Sequence, residues 1–214
     1  MLTGMTLKVF LNELREQGGS QTFSHVVKVG DLMAELALAM GMSEKEANTM
    51  FYAGLLHDAG KLFVPANILS KQETLTDHEY LIIRTHVTSG TGIIKQLHIH
   101  DYLKKAACEA AEYHHAWYNG QKKRPGSRQG GYYKGMKSSN VSKTAIPLVG
   151  RMCAICDVYE ALTAERSYSA AMSCDEALKK MDEFLIEGQF DPKIYKIFVE
   201  KVLKKEYLSS KKVA

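Results

Sequence analysis

The stretch GLLHDAGK, Gly54–Lys61, decides how this chain is read. It sets His57 and Asp58 at the predicted C-terminal end of a helix that is otherwise apolar. A His-Asp pair on the buried side of a helix needs partners for both polar groups, either hydrogen bonds within the core or a metal. Alone, the dipeptide fits a helix-end ion pair. Other residues change that balance. His25 begins a predicted helix, His86 follows a short one, His114 and His115 are adjacent, and Asp157 lies on the apolar stretch RMCAICDVYEAL. Burying so many polar side chains at otherwise apolar positions demands a common purpose, and imidazole with carboxylate suits a first-row metal such as iron, manganese or zinc.

The charge balance points to a two-metal hydrolase. Two divalent ions bring four positive charges, Asp58 and Asp157 remove two, and a bridging hydroxide removes a third, so a net positive centre remains to attract a phosphodiester. With ions roughly 3.5–4 Å apart, such a hydroxide can attack phosphorus in line. Lys61 follows Asp58 by three residues, so a turn would bring its ammonium beside the metals to stabilise developing charge. The plainer alternative for Lys61 is a surface lysine after a helix-ending glycine.

Outward from this stretch the punctuation is helical. Ser43 with Glu46, Thr76 with Glu79 and Ser173 with Glu176 form candidate capping boxes. Pro147 and Pro192 mark other starts, and Gly41, Gly60 and Gly188 mark stops. Apolar residues recur at helical spacing, as in Val26, Val29, Met33, Leu36 and Met40. The pattern predicts helices near 3–16, 24–40, 44–57, 76–84, 87–97, 101–115, 147–162, 174–187 and 192–206, and no strand. The fold class is therefore all-α, a bundle of about seven to nine helices with the metal centre in its core. We divide the chain into an N-terminal extension, 1–23, one domain, 24–206, and a basic tail, 207–214. The long irregular segment from Ala116 to Ala145 directly follows the histidine pair, and loops of that length are usually functional or disordered.

The composition, with 45% hydrophobic and 24% charged residues in 214, is that of a globular protein. No apolar run is long enough for a membrane span or signal peptide, so a cytoplasmic protein is expected. Four cysteines form no dense framework; Cys153 and Cys156 make a CxxC that reads as core packing rather than a zinc or redox site. The net charge of +4 is modest. Its concentrations are the loop QKKRPGSRQ, which could draw a phosphate-bearing ligand, and the tail, which reads as solvated surface. No DNA partner is expected.

The order H…HDxGK…H…HH…D, with LLHDAGKLFVPANIL, RTHVTSG, HHAWYNG, IPLVGRMCAICDVYEALTAERSY and GQFDP around it, resembles the HD-GYP domain from about Ser24 to Phe198. The resemblance implies an HD-type fold that hydrolyses cyclic dinucleotides, chiefly cyclic di-GMP, with iron or manganese. It further implies that His25, His57, Asp58 and Asp157 hold one metal. Asp58, as bridge, with His86, His114 and His115 would hold the other. Lys61 matches the catalytic lysine, Arg166 an arginine that contacts substrate phosphate, and Arg151 an arginine of the aspartate-bearing helix, for which an ion pair is the alternative.

Departures accompany the matches. Where some members carry a glutamate that recruits a third metal, this chain has Gln21, so two metals are expected. The signature loop is altered: Ala116 replaces a glutamate, Tyr133 replaces the proline, and Tyr132 stands for the substrate-contacting tyrosine if the insertion QKKRPGSRQ loops out. Ser169 replaces a basic residue. Trp117 and Tyr118 either stack on bases or anchor the loop, and His78, His98 and His100 read as surface residues. The leading expectation is a phosphodiesterase acting on cyclic di-GMP or cyclic GMP-AMP. The alternatives are a non-catalytic dinucleotide receptor, a hydrolase of a smaller nucleotide, and an oxygenase with a mixed-valent di-iron centre. No regulatory domain precedes His25, so regulation by a separate protein partner, or a chain that is a fragment, is expected.

Overall fold

Three capping boxes open three helices of the computed structural model, which describes residues 4–71, 73–120, 141–165 and 171–204. In chain order the α-helices are α1 (Leu7–Gln17), α2 (Gly19–Ala39), α3 (Glu44–Leu56), α4 (Ala66–Leu69), α5 (Asp77–Arg84), α6 (His86–Gln96), α7 (Asp101–Tyr113), α8 (Leu148–Thr163), α9 (Cys174–Ile186) and α10 (Pro192–Ile197). A 3-10 turn, Ala59–Phe63, joins α3 to α4, and a π-helical stretch, Phe198–Leu203, continues α10. Ser43, Thr76 and Ser173 each accept from the backbone three residues on, and Glu46, Glu79 and Glu176 reach back. Each such cap stabilises its helix by about 1 kcal/mol. Asp191 caps α10, with Pro192 in its first turn. There is no strand among the described residues, only an isolated bridge between Thr6 and His98. No helix among them is long and apolar enough to cross a membrane.

The elements missed from sequence are the short ones. The 3-10 turn and the four-residue α4 carry too few residues to show a periodicity. The boundary drawn between 23 and 24 falls inside α2, which begins at Gly19. Gly18 and Gly19 turn the chain in a single step, and Gly19 takes a left-handed φ of 80° there. The basic tail 207–214 and most of the segment after Gly120 lie outside the described residues.

Two apolar clusters form the core. One gathers Val29, Met33 and Leu36 of α2 with Ala53, Ala110, Met152, Cys156, Met181 and Phe198; the other gathers Phe10 and Leu14 of α1 with Val26, Leu56, Ile94 and Ala111. Each large side chain fully buried this way contributes about 1.5–3 kcal/mol. Cys153 and Cys156 are buried free thiols, packed in the first cluster. Helices α2, α3 and α7 feed both clusters, so they run along the seam between them. Polar residues on those three helices at the seam are enclosed from both sides, and His25, His57 and His114 are where this happens.

Candidate metal centre

Five elements besides α2 converge on the seam. His57 is the C-cap of α3, Asp58 follows it into the 3-10 turn that holds Lys61, His86 opens α6, His114 caps the end of α7, and Asp157 lies in α8. Among these, His25, His57, Asp58, His86 and His114 are all 6% exposed or less, a degree of burial that ionisable groups tolerate only with partners.

The imidazole orientations follow from hydrogen bonds on the outer ring nitrogen. Nδ1 of His57 donates to the Gly54 carbonyl at 2.6 Å, Nδ1 of His86 to Ile83 at 2.6 Å, and Nδ1 of His114 to Ala110 at 2.9 Å. A carbonyl oxygen only accepts, so each Nδ1 carries the hydrogen and each Nε2 is turned inward. In His25 the Nδ1 partner is a side chain, the buried carboxylate of Glu160.

The inward atoms surround Asp58 on two sides. Its Oδ2 faces Nε2 of His25 at 3.5 Å, Nε2 of His57 at 3.2 Å and the Lys61 ammonium. Its Oδ1 faces Nε2 of His86 at 3.4 Å and of His114 at 3.8 Å. Asp157 lies 3.2 Å from His25 and 3.8 Å from His57. The His115 ring packs 3.8 Å from that of His114 and 5.3 Å from that of His86. Ligand atoms of His25, His57 and Asp58 lie within 4.8 Å of one another, as do those of His86, His114 and His115, and those of His57, His114 and Asp157.

The residues present fit divalent cations. Nε2 of His25 and of His57 and Oδ1 of Asp58 are buried and make no hydrogen bond within the protein. An unsatisfied buried polar atom costs about 1–3 kcal/mol, a cost that ligation removes. Imidazole and carboxylate at one point form a donor set for a first-row metal.

Charge is distributed unevenly through the cluster. Burial opposes protonation of His25, but Asp157, Asp58 and Glu160 around it prevail and raise its pKa to about 10. His57 is likewise raised against its burial, to about 9, by Asp58 and Asp157. Burial works against the charge on Asp58 and Asp157 as well, but Lys61 and His57 at the first, and His25 and His57 at the second, hold both carboxyls well below their ordinary range. Burial lowers His86, lowers His114 to about 3, with the His57 charge adding to the effect, and holds His115 well below its usual value.

A cavity of about 790 Å³ opens beside this cluster, lined among others by Gln21, His25, Lys28, Lys61, Lys71 and Glu160. Its volume lies within the range of small-molecule sites. Lys71 is held on the wall by both oxygens of Glu79 at 2.7 Å.

The structure thus brings His25, His57, Asp58, His86, His114, His115, Asp157 and Lys61 together. Gly60, read as a helix stop, instead lies where the 3-10 turn touches α6; an added Cβ would meet the His86 carbonyl at 1.9 Å. Arg151 is placed elsewhere. Its Nη1 lies 2.6 Å from Asp191 and its Nε donates to the Ile146 carbonyl at 3.0 Å, the ion-pair alternative weighed for it; the contact ties the start of α8 to the start of α10. Tyr132 and Arg166 lie outside the described residues. The backbone at Tyr118 and Asn119 is tied to the turn after α9, Tyr118 N–H donating to the Gln189 carbonyl and Asn119 N–H to that of Gly188, each at 3.0 Å. His78, His98 and His100 are exposed. Sequence reasoning passed over Glu160, although a carboxylate one helical turn beyond Asp157 on an apolar helix was a signal.

Comparison with known proteins agrees with this geometry. A family model described as HD domain matches residues 9–194. The chain is 33% identical over 181 residues to the cyclic di-GMP phosphodiesterase PA4108 of Pseudomonas aeruginosa, covering 85% of this chain and 39% of that protein. It is 29% identical over 195 residues to the 3'3'-cGAMP-specific phosphodiesterase 1 of Vibrio cholerae, covering 91% and 41%. The chain therefore spans less than half the length of these relatives. Among solved structures, the HD domain of the Listeria monocytogenes phosphodiesterase PgpH in complex with cyclic-di-AMP aligns with a TM-score of 0.59 at 18% identity, over 88% of this chain and 91% of that one. Bd1817, an HDG"Y"P protein from Bdellovibrio bacteriovorus, aligns with a TM-score of 0.59 at 17% identity, over 85% and 52%. These two likenesses speak to the fold. With a match running from α1 to α10 and the histidines and aspartates gathered at one buried point, this chain belongs to the HD domain family.

Proposed function

We propose that the chain is a metal-dependent phosphodiesterase that opens a cyclic dinucleotide, cyclic di-GMP or 3'3'-cGAMP, to the linear dinucleotide. The observation that carries this reading is the two-sided Asp58, with Nε2 of His25 and His57 on one oxygen and Nε2 of His86 and His114 on the other, behind His25 and Lys61 on the wall of a large cavity. His25, His57, Asp58 and Asp157 would hold one divalent ion, and Asp58, His86, His114 and His115 a second, with iron or manganese suited to such ligands. The ions would supply Lewis-acid charge and an activated water at neutral pH.

The chain's own residues do the rest. The outer hydrogen bonds of His57, His86 and His114 fix their rings before substrate arrives, so no reorganisation is needed during reaction. Lys61 presents an ammonium between Asp58 and the cavity, where it stabilises charge developing on phosphate and leaving oxygen. The rest of the cavity wall carries both signs, Lys28 and Lys71 with Glu73, Glu160 and Glu165, so Lys61 is the cation placed at the cluster itself. The relatives that carry cyclic di-GMP and 3'3'-cGAMP in their names support the substrate class.

Product analysis tests the proposal. Protein loaded anaerobically with Fe(II) or Mn(II) is incubated with each dinucleotide, beside an Asp58→Ala control. Linear dinucleotide formed by the wild type alone is the expected result. Binding without turnover would identify a receptor instead, and oxygen uptake without phosphoester cleavage would identify an oxygenase.

A further inference from the structure

Of the four rings whose outer nitrogen has a defined partner, three use a backbone carbonyl and His25 uses a carboxylate. The cause lies in where each ring sits. His57 and His114 cap helix ends and His86 opens one, so a carbonyl of the adjoining turn is within reach of Nδ1. His25 lies inside the 21-residue α2, away from either helix end. Its Nδ1 takes its acceptor from another element. Glu160 supplies it from α8, one turn beyond Asp157 and on the same side of the helix, so both carboxylates meet one ring from opposite nitrogens. Glu160 is 3% exposed. A buried carboxylate is a costly choice for a contact that only fills space, because it must be compensated by charge.

We propose that Glu160 is a positioning residue for metal binding: its carboxylate fixes the His25 ring and strengthens its Nε2 as a ligand. The inference rests on the metal centre proposed above. A carboxylate on the outer nitrogen fixes the tautomer and raises the basicity of the inner one more than a neutral carbonyl does. The other oxygen of Glu160 lies 3.9 Å from the Lys28 ammonium, whose side chain is 58% exposed. A pair so long and so wet is weak, whereas the contact with His25 is buried.

The experiment is a titration of the metal-free full chain with Mn(II) against a competing chelator, giving the Kd and stoichiometry of each ion. Glu160→Gln keeps the shape and an acceptor but removes the charge, and is expected to weaken one ion about 10-fold; Glu160→Ala removes both and is expected to weaken it about 100-fold, the range for outer-sphere partners of metal-bound histidine. Glu160→Asp recovers part of the loss. In a His25→Ala background Glu160→Gln has no further effect, and Lys28→Met leaves both affinities within about twofold of the wild type. Thermal melting shows which variants are folded, and the near-isosteric Glu160→Gln decides the matter should Glu160→Ala unfold. Wild-type affinity in folded Glu160→Gln, or a loss that persists without His25, overturns the inference while leaving the metal centre standing. A wild type that takes up no Mn(II) overturns the metal centre itself.

Discussion

His25 and His57 face carboxylates, whereas His86, His114 and His115 face mainly one another. On the first side two aspartates and Glu160 surround two rings, and the rings are drawn towards the charged form. On the second side Asp58 Oδ1 faces two of the rings, Asp157 stands near His114, and burial keeps the rings neutral. The cavity follows the same division: its described lining includes His25, Lys61 and Glu160, but none of His86, His114 and His115. An ion on the carboxylate side would have most of its charge neutralised by its own ligands. One on the histidine side would keep more of it, behind the first. A ligand entering the cavity therefore meets the carboxylate side first, and Asp58, with Lys61 on its outer oxygen, is the link through which the inner side is felt.

Removing that link gives the largest expected effect. Asp58→Asn keeps the shape and loses the charge that both sides share, so turnover should fall by on the order of 10³-fold or more. Elemental analysis of the folded variant should show both ions depleted. Retention of one full equivalent would show that Asp58 belongs to one side alone.

His86→Asn probes the inner side. His86 touches Asp58 Oδ1 and the other inner rings, and no carboxylate of the outer side. Loss of about one equivalent of metal is expected, with turnover down by about 10²-fold, comparable to removal of one electrostatic contact at a reacting centre. Equal loss of both ions would mean that the two sides form one cooperative unit.

Lys61→Met addresses the outer side without touching the histidines. A fall in kcat of up to about 10²-fold with full metal content is the expected result. If metal content falls with kcat, the contact of Lys61 with Asp58 is structural instead.

Much of this comparison could be read in the sequence, and the limits have physical reasons. Five histidines and two aspartates on apolar stretches stand out because burying such groups without partners is costly. The long helices stand out because their capping boxes and apolar spacing are local signals. Glu160 did not stand out: carboxylates are common on helices, and its partner lies 135 residues away. Arg151 shows the same limit, since Asp191, 40 residues on, also serves as a helix cap, and nothing local reveals that it serves twice. Gly60 was given a local role as a helix stop because its actual neighbour, the α6 backbone, is distant in sequence.

Gly60→Ala makes that last contact a test of how the two sides are joined. The 3-10 turn carries Asp58 and Lys61, and α6 carries His86, so Gly60 lies where the outer side's turn rests on the inner side's helix. A Cβ at this position would lie 1.9 Å from the His86 carbonyl oxygen and 2.6 Å from the Gly90 nitrogen. Both are backbone atoms, so no side-chain rotation relieves the overlap and the turn must lift from the helix. Overpacking of this kind costs about 1–3 kcal/mol. For a chain of this size that corresponds to a Tm lower by roughly 2–12 °C. Lifting the turn also draws Asp58 Oδ1 away from His86 and His114 while its Oδ2 keeps the neighbours on its own segment, His57 and Lys61. Metal loss should therefore fall mainly on the inner side, read as a drop towards one equivalent in a protein that still melts cooperatively. A variant with wild-type Tm and two equivalents of metal would show that the turn and α6 move independently, and that the two sides are joined through Asp58 alone.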